Sequence, residues 1–274
     1  QFIIGTQKLD VNSFAKYFDI SLTEYTESGK TIDGSDGNDH LIGTSGDDII
    51  DGKAGADIME GGDGNDTYYV DDVKDVVIEQ ADGGEDTVFS SISHTAATHV
   101  ENVTLTGSAN IFAAGNNSNN ILTGNEGRNR LNSGRGDDIV YGGGGNDFIN
   151  GGEGNDRLFG ETGNDTLNGE AGNDVLEGGE GDDTYLFSAK SEQDTIIDNQ
   201  GHNSIRFHTD LSLNDLTVEV RNNETGSHDW LIAVKNSNAV LTIKNQYTQN
   251  GTTPAVSQFI IGTQKLDVNS FAKY

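Results

Sequence analysis

The sequence predicts an all-β fold: a parallel β-roll in two blocks, with a small antiparallel β cap at the C-terminal end. Three observations carry this. A glycine-rich acidic turn recurs every nine residues, and a large apolar residue stands two places after each acid. After residue 207 the pattern changes to alternation with period two, the mark of half-buried strands.

The turn is plainest at GGEGND (151–156), GETGND (160–165), GEAGND (169–174) and GGEGDD (178–183). Written as a template it is G-G-x-G-x-D-x-U-x, with U apolar. Four copies open at Gly34, Gly43, Gly52 and Gly61, with sixth positions Asp39, Asp48, Asp57 and Asp66 and eighth positions Leu41, Ile50, Met59 and Tyr68. Eight more open at Gly115, Gly124, Ser133, Gly142, Gly151, Gly160, Gly169 and Gly178. Their sixth positions are Asn120, Asn129, Asp138, Asp147, Asp156, Asp165, Asp174 and Asp183, and an apolar residue follows two places later each time. Both blocks leave the repeat alike, GNDTYYV (64–70) matching GDDTYLF (181–187).

The order of elements follows. Residues 1–30 are expected to be the end of a preceding unit or a linker strand, and 31–90 the first block. Residues 91–114 are a joining β segment around VTLTG (103–107), and 115–204 form the second block. Residues 205–274 are the cap, from LTVEV (216–220), WLIAV (230–234), VLTI (240–243) and FII (259–261). Two nonapeptides make one coil of the roll, and coils stack at about 4.8 Å, the spacing of neighbouring strands.

Composition limits the function. The chain is 32% hydrophobic, with 37 glycines and one proline, so a thin repetitive core fits better than a single compact one. Its 16 basic and 45 acidic residues give a net charge of −29, which repels nucleic-acid phosphates and attracts cations. With no cysteine there are no disulfides, thiolate metal sites or cysteine nucleophiles. No apolar run approaches the roughly 18 residues of a membrane span, and no basic-then-apolar signal segment opens the chain.

Catalytic patterns are weak. His40, His94, His99, His202, His208 and His228 form no HExxH or regular ligand spacing, and SGKT (28–31) lacks the earlier glycine of a phosphate loop. No serine sits in a GxSxG elbow. Paired acids abound, but the repeat accounts for nearly all of them. Trp230, in an alternating strand, is expected in the core. The chain is therefore not expected to be an enzyme.

The repeat itself has chemistry. Glycines allow a turn that aims carbonyl oxygens at one point, and the sixth-position acid adds a carboxylate. Such a hard, oxygen-only nest suits Ca2+, which takes six to eight oxygens at about 2.3–2.6 Å. Turns two repeats apart are neighbours on successive coils, so one ion can lie between them. The expected pairs are Asp39 with Asp57, Asp48 with Asp66, Asp138 with Asp156, Asp147 with Asp165, Asp156 with Asp174, and Asp165 with Asp183. Asp86 and Asp194, which follow the blocks in similar contexts, are candidate block-end ligands. The first two repeats of the second block, with Asn120, Asn129, Ser118, Arg128 and Arg130, are expected to bind poorly and to serve as a capping coil.

These residues resemble the RTX, or haemolysin-type calcium-binding, repeat family. The resemblance covers roughly 30–207 by motif, and 205–274 is similar to the β-rich domain that often follows such blocks. It implies a parallel β-roll, several bound Ca2+ ions, export unfolded by type I secretion, and folding on calcium outside the cell, secreted or at the surface. The implied roles are a structural, adhesive or fibre-forming repeat unit or, alternatively, the C-terminal secretion and folding module of a type I secreted toxin or hydrolase.

One further feature stands apart. QFIIGTQKLDVNSFAKY occurs at 1–17 and again, unchanged, at 258–274. Three origins are open: a tandem array of 257-residue period, an appended second copy of the terminal segment, or a strand-exchange device joining one molecule head-to-tail to the next.

Overall fold

The computed structural model describes residues 28–222, 227–247 and 254–272, together with the backbone of two strands, Phe2–Ile4 and Gln7–Leu9. The rest of the N-terminal segment expected to end a preceding unit lies outside the described residues.

The chain winds as a parallel β-solenoid of about 10 turns, with antiparallel strands at its C-terminal end. The winding follows from the nine-residue spacing. Ile121–Thr123 pairs in parallel with Ile139–Tyr141, which pairs with Arg157–Thr162, and partners stand 18 residues apart: Ile121 with Ile139, then Arg157. One coil is thus two nonapeptides, one strand on each face. Within each strand the eighth-position side chain points inward. Ile50, Met59, Tyr68, Leu122, Leu131, Val140, Ile149, Leu158, Leu167, Leu176 and Tyr185 are all buried, stacking into one ladder-like core.

The two blocks share that core. Thr87–Ser90 pairs with Thr67–Val70 on one side and with Asn102–Leu105 on the other, and Asn102–Leu105 pairs with Ile121–Thr123. The joining segment therefore carries a 13-stranded sheet from Thr31–Asp33 without a break to the C-terminal strands. Val100, Val103, Leu105 and Ala113 fill its interior. On the opposite face the pairing breaks. His40–Ile42, Ile58–Glu60 and Val76–Ile78 form a 3-stranded sheet, and a 9-stranded sheet starts afresh at His94–Thr95.

The cap extends both faces. Asn203–Phe207 still belongs to the solenoid, so the winding runs past residue 205. Val240–Tyr247 adds in parallel to Gln193–Ile196 and carries an antiparallel meander with His228–Val234 and Leu216–Asn222. Val256–Ile261 adds to Asn203–Phe207 and turns back as a hairpin with Gln264–Asp267, followed by the short helix Val268–Phe271. Phe259 stacks on Phe271 at 4.0 Å between ring centres, and Trp230 lies over Phe259 at 6.0 Å. These rings close the apolar interior that the last coil would otherwise expose to water. Trp230 is a core residue, as its strand pattern predicts.

The duplicated segment forms the same hairpin twice. Phe2 faces Leu9, Ile3 faces Lys8 and Ile4 faces Gln7, as Phe259 faces Leu266, Ile260 faces Lys265 and Ile261 faces Gln264.

Candidate metal centre

Each nonapeptide places a turn over its first six positions and starts a strand at its seventh, and from Arg130 on most strands run into the next turn. The sixth-position acid stands where the turn re-enters the strand, at the edge of the roll. Its Oδ1 accepts the backbone N–H of the residue 18 positions earlier. Asp66 accepts from Asp48 at 2.7 Å, Asp156 from Asp138 at 2.9 Å, Asp165 from Asp147 at 2.7 Å, Asp174 from Asp156 at 2.9 Å and Asp183 from Asp165 at 2.8 Å. Stacking of coils thus builds a ladder of carboxylates along each edge. Asp48, Asp66 and Asp86 lie on one edge, continued by Asp138, Asp156, Asp174 and Asp194. Asp39, Asp57 and Asp75 lie on the other, continued by Asp147, Asp165, Asp183 and Asn203.

The second oxygen of these acids is the notable one. Oδ2 of Asp57, Asp66, Asp86, Asp138, Asp147, Asp156, Asp165, Asp174, Asp183 and Asp194 is buried and has no hydrogen-bond partner. Burying a carboxylate without compensation is costly, and it resists charge unless a cation answers it. Burial pushes Asp147, Asp156 and Asp165 up to about 7, Asp66, Asp86, Asp138 and Asp183 up to about 6, and Asp194 up to about 8. Repulsion between neighbouring acids adds to the rise, as between Asp156 and both Asp138 and Asp174.

The turns are of two kinds. In the eight that open at Gly52, Gly61, Ser133, Gly142, Gly151, Gly160, Gly169 and Gly178, the second and fourth residues have positive φ, such as Gly152 at 116° and Gly154 at 136°. Nothing in these open turns reaches the sixth-position Oδ2. The backbone also packs too closely for a side chain: a methyl group on Gly163 would lie 1.5 Å from the Gly145 carbonyl oxygen of the neighbouring coil, and one on Gly151 would lie 2.2 Å from Asp156 Oδ2. The first-position glycine therefore leaves room for the carboxylate, and the turn carbonyls crowd between coils.

The other four turns are closed by their own side chains. Ser35, Thr44, Asn116 and Asn125 take the second position, and each accepts the N–H of the fourth residue, at 3.2, 3.2, 2.8 and 2.8 Å. This local bond is the ordinary habit of short polar side chains in turns. Their own N–H groups then donate to the sixth-position oxygen: Ser35 to Asp39 at 2.6 Å, Thr44 to Asp48, Asn116 to Asn120 at 2.8 Å and Asn125 to Asn129 at 2.7 Å. Both blocks begin with one such coil. Asp39 and Asp48, expected from spacing to ligate, each accept hydrogen bonds within their own turns, Asp48 also accepts the Lys30 N–H, and neither keeps a buried unpartnered oxygen.

Several residues lie outside the glycine-rich template, although Asp75 keeps its nine-residue spacing from Asp66. Asp75, Glu101 and Asn203 join the ladders as acceptors from Asp57, Asp86 and Asp183. Glu79 and Asp198 receive the hydroxyls of Tyr68 and Tyr185 at the two block exits. Counting on by 18 from Gly61 reaches Glu79, a signal available in the sequence but carried by no motif.

The winding and the oxygen ladders define a cation-binding β-solenoid built from repeated turns. Residues 33–68, 114–149 and 150–185 match the family model of the RTX calcium-binding nonapeptide repeat, so both blocks carry RTX repeats. The matched stretches cover the template-matching repeats of both blocks and stop before the block exits. A search of curated proteins returns no match. The donor set fits the ion this family binds: oxygen only, anionic, buried and short of partners.

Proposed function

We propose that this chain is a calcium-set structural unit of a larger secreted or cell-surface protein, a bearing or adhesive element rather than an enzyme. The observation that carries the reading is the row of buried, unpartnered Asp oxygens along the two edges. Calcium lies between neighbouring open turns: Asp138 with Asp156, Asp156 with Asp174, Asp147 with Asp165, and Asp165 with Asp183. At the far end Asp174 and Asp194 take a further ion. The closed coils around Asp39 and Asp48, and around Asn120 and Asn129, hold none and act as end plates for each block.

Folding and binding are then one event. Without cations the stacked carboxylates repel and lack partners, so the strands do not pack; each ion removes both penalties. Extracellular calcium modules bind at roughly 10⁻⁴–10⁻³ M, far above cytosolic levels. The chain accordingly stays threadable during export and sets outside.

The repeated hairpin supports a multi-copy role. In its C-terminal copy Val256–Ile261 seats against Asn203–Phe207 and buries Phe259 and Phe271. The N-terminal copy has the same sequence and register, and it pairs with no other described strand. It is fitted to the same seat in a neighbouring copy, in tandem or head-to-tail.

Light scattering after size-exclusion chromatography, with far-ultraviolet circular dichroism, tests the reading in millimolar calcium and in chelator. A compact β-rich species that expands and loses structure on chelation is expected. Equal size and spectrum in both buffers would overturn it.

A further inference from the structure

We propose that Asp66, Glu79 and Asp86 form a divalent-cation site at the exit of the first block, completed by a glutamate from outside the nonapeptide. The proposal rests on the calcium reading above and adds a site the repeat does not contain, since only Asp66 lies within a family-matched stretch.

The geometry is that of one ion's shell. One carboxylate oxygen from each residue lies within 4.8 Å of the other two, about twice the 2.3–2.6 Å of a calcium–oxygen contact. All three residues are buried, with Glu79 at 9% exposure the most open. Oδ2 of Asp66 and Oδ2 of Asp86 have no partner. Asp66 and Glu79 converge on one point of the backbone: a methyl group on Gly61 would lie 2.0 Å from Asp66 Oδ2, 2.1 Å from the Tyr68 hydroxyl oxygen and 2.6 Å from Glu79 Oε1. Glu79 is held in place. The Tyr68 hydroxyl donates to its Oε1, and the Gln80 N–H donates to its Oε2 at 3.1 Å. No ion pair between described residues reaches any of the three acids.

The second block exit is a built-in comparison. Asn203 takes the place of Asp86 there, accepting the Asp183 N–H at 2.9 Å as Asp86 accepts that of Asp66 at 2.8 Å. Its amide donates to Asp198 Oδ2 at 2.9 Å, to Gln200 O at 2.7 Å and to Ala255 O at 3.0 Å. An amide thus ties that exit together with N–H donors. At the first exit the same position is a carboxylate with nothing to donate, and Glu79 faces it with a second charge. A cation supplies what the amide supplies at the other end.

The test counts calcium bound per intact chain after gel filtration in calcium, for the unaltered protein, Asp86→Asn and Glu79→Gln. Asp86→Asn keeps the acceptor for the Asp66 N–H, and Asn203 shows that the fold accepts an amide there. Each variant is expected to hold one ion fewer while keeping its circular dichroism. If the unaltered chain binds several ions and both variants bind as many, this proposal fails and the repeat reading stands. If the unaltered chain binds none, both fail. Crystals of the unaltered chain grown with terbium in place of calcium give a readout that needs no variant. An anomalous peak within about 2.3–2.6 Å of all three carboxylates is expected, and its absence overturns the site.

Discussion

At the residue scale, the second position of each turn decides what the turn can hold. Ser, Thr or Asn there bonds to the fourth residue and closes the turn; Gly, Lys or Glu leaves it open. Glu161 opens its turn at φ 71°, a conformation that costs an L-residue about 1–2 kcal/mol. Glu161→Gly is therefore expected to stabilise the calcium-loaded fold by about 1 kcal/mol, read as a lower calcium midpoint. Gly163→Ala should act in the opposite sense by about 1–3 kcal/mol, because φ is 136° and the added methyl meets the Gly145 carbonyl. A midpoint that moves the other way for either variant refutes the two-turn distinction. The carboxylates differ in the same fashion. Asp156 has an unpartnered oxygen and faces an open turn on each side, whereas Asp39 accepts within its own closed turn. Asp156→Ala is expected to raise the calcium midpoint more than Asp39→Ala, and equal midpoints would remove the basis for leaving Asp39 out of the ion set.

At the scale of the coil, two ladders run side by side: an apolar one inside and an anionic one at each edge. The apolar ladder favours stacking whether or not metal is present, and the anionic one opposes it until the charges are answered. Protons can answer them as well as calcium. Asp147, Asp156 and Asp165 titrate near 7 in the metal-free fold against 3.8 for a free side chain, because burial disfavours the charged form. A carboxyl that binds its proton more tightly when folded adds stability below its unfolded value. That stability is lost as pH rises through the folded value. In chelator the chain is thus expected to hold more β structure near pH 5 than near pH 7.5 by circular dichroism. More structure at the higher pH would contradict the burial of these groups. With calcium present the order reverses, since protons compete with the ion for the same oxygens.

At the scale of the whole molecule, the joining segment couples the two blocks. Solenoid stability is roughly a sum of terms within and between neighbouring coils, so a defect in one coil weakens transmission across it. Val103 is fully buried in the joining coil. Val103→Asp places an unpaired charge there, and is expected to divide calcium-induced folding into two transitions where the unaltered chain shows one. A single unshifted transition would mean that the blocks set independently of the segment between them. The net charge of −29 acts on the same scale, opposing compaction and favouring cation uptake.

Much of this was legible in the nonapeptide. A fixed spacing of turn, acid and apolar residue determines the 18-residue coil, the inward side chains of Ile149 or Leu158, and the ladder of Asp138, Asp156 and Asp174, because each depends only on local period and strand alternation. Even the closed turns are written at their second positions. The unbroken sheet through the joining segment was not legible, since its partners run from Thr67 to Thr87 to Asn102 to Ile121 and keep no common spacing. Nor was Glu79's approach to Asp66 and Asp86. Asp86 and Asn102 stand where the chain leaves its period, and there only contacts made through space decide which backbone pairs and which side chains meet.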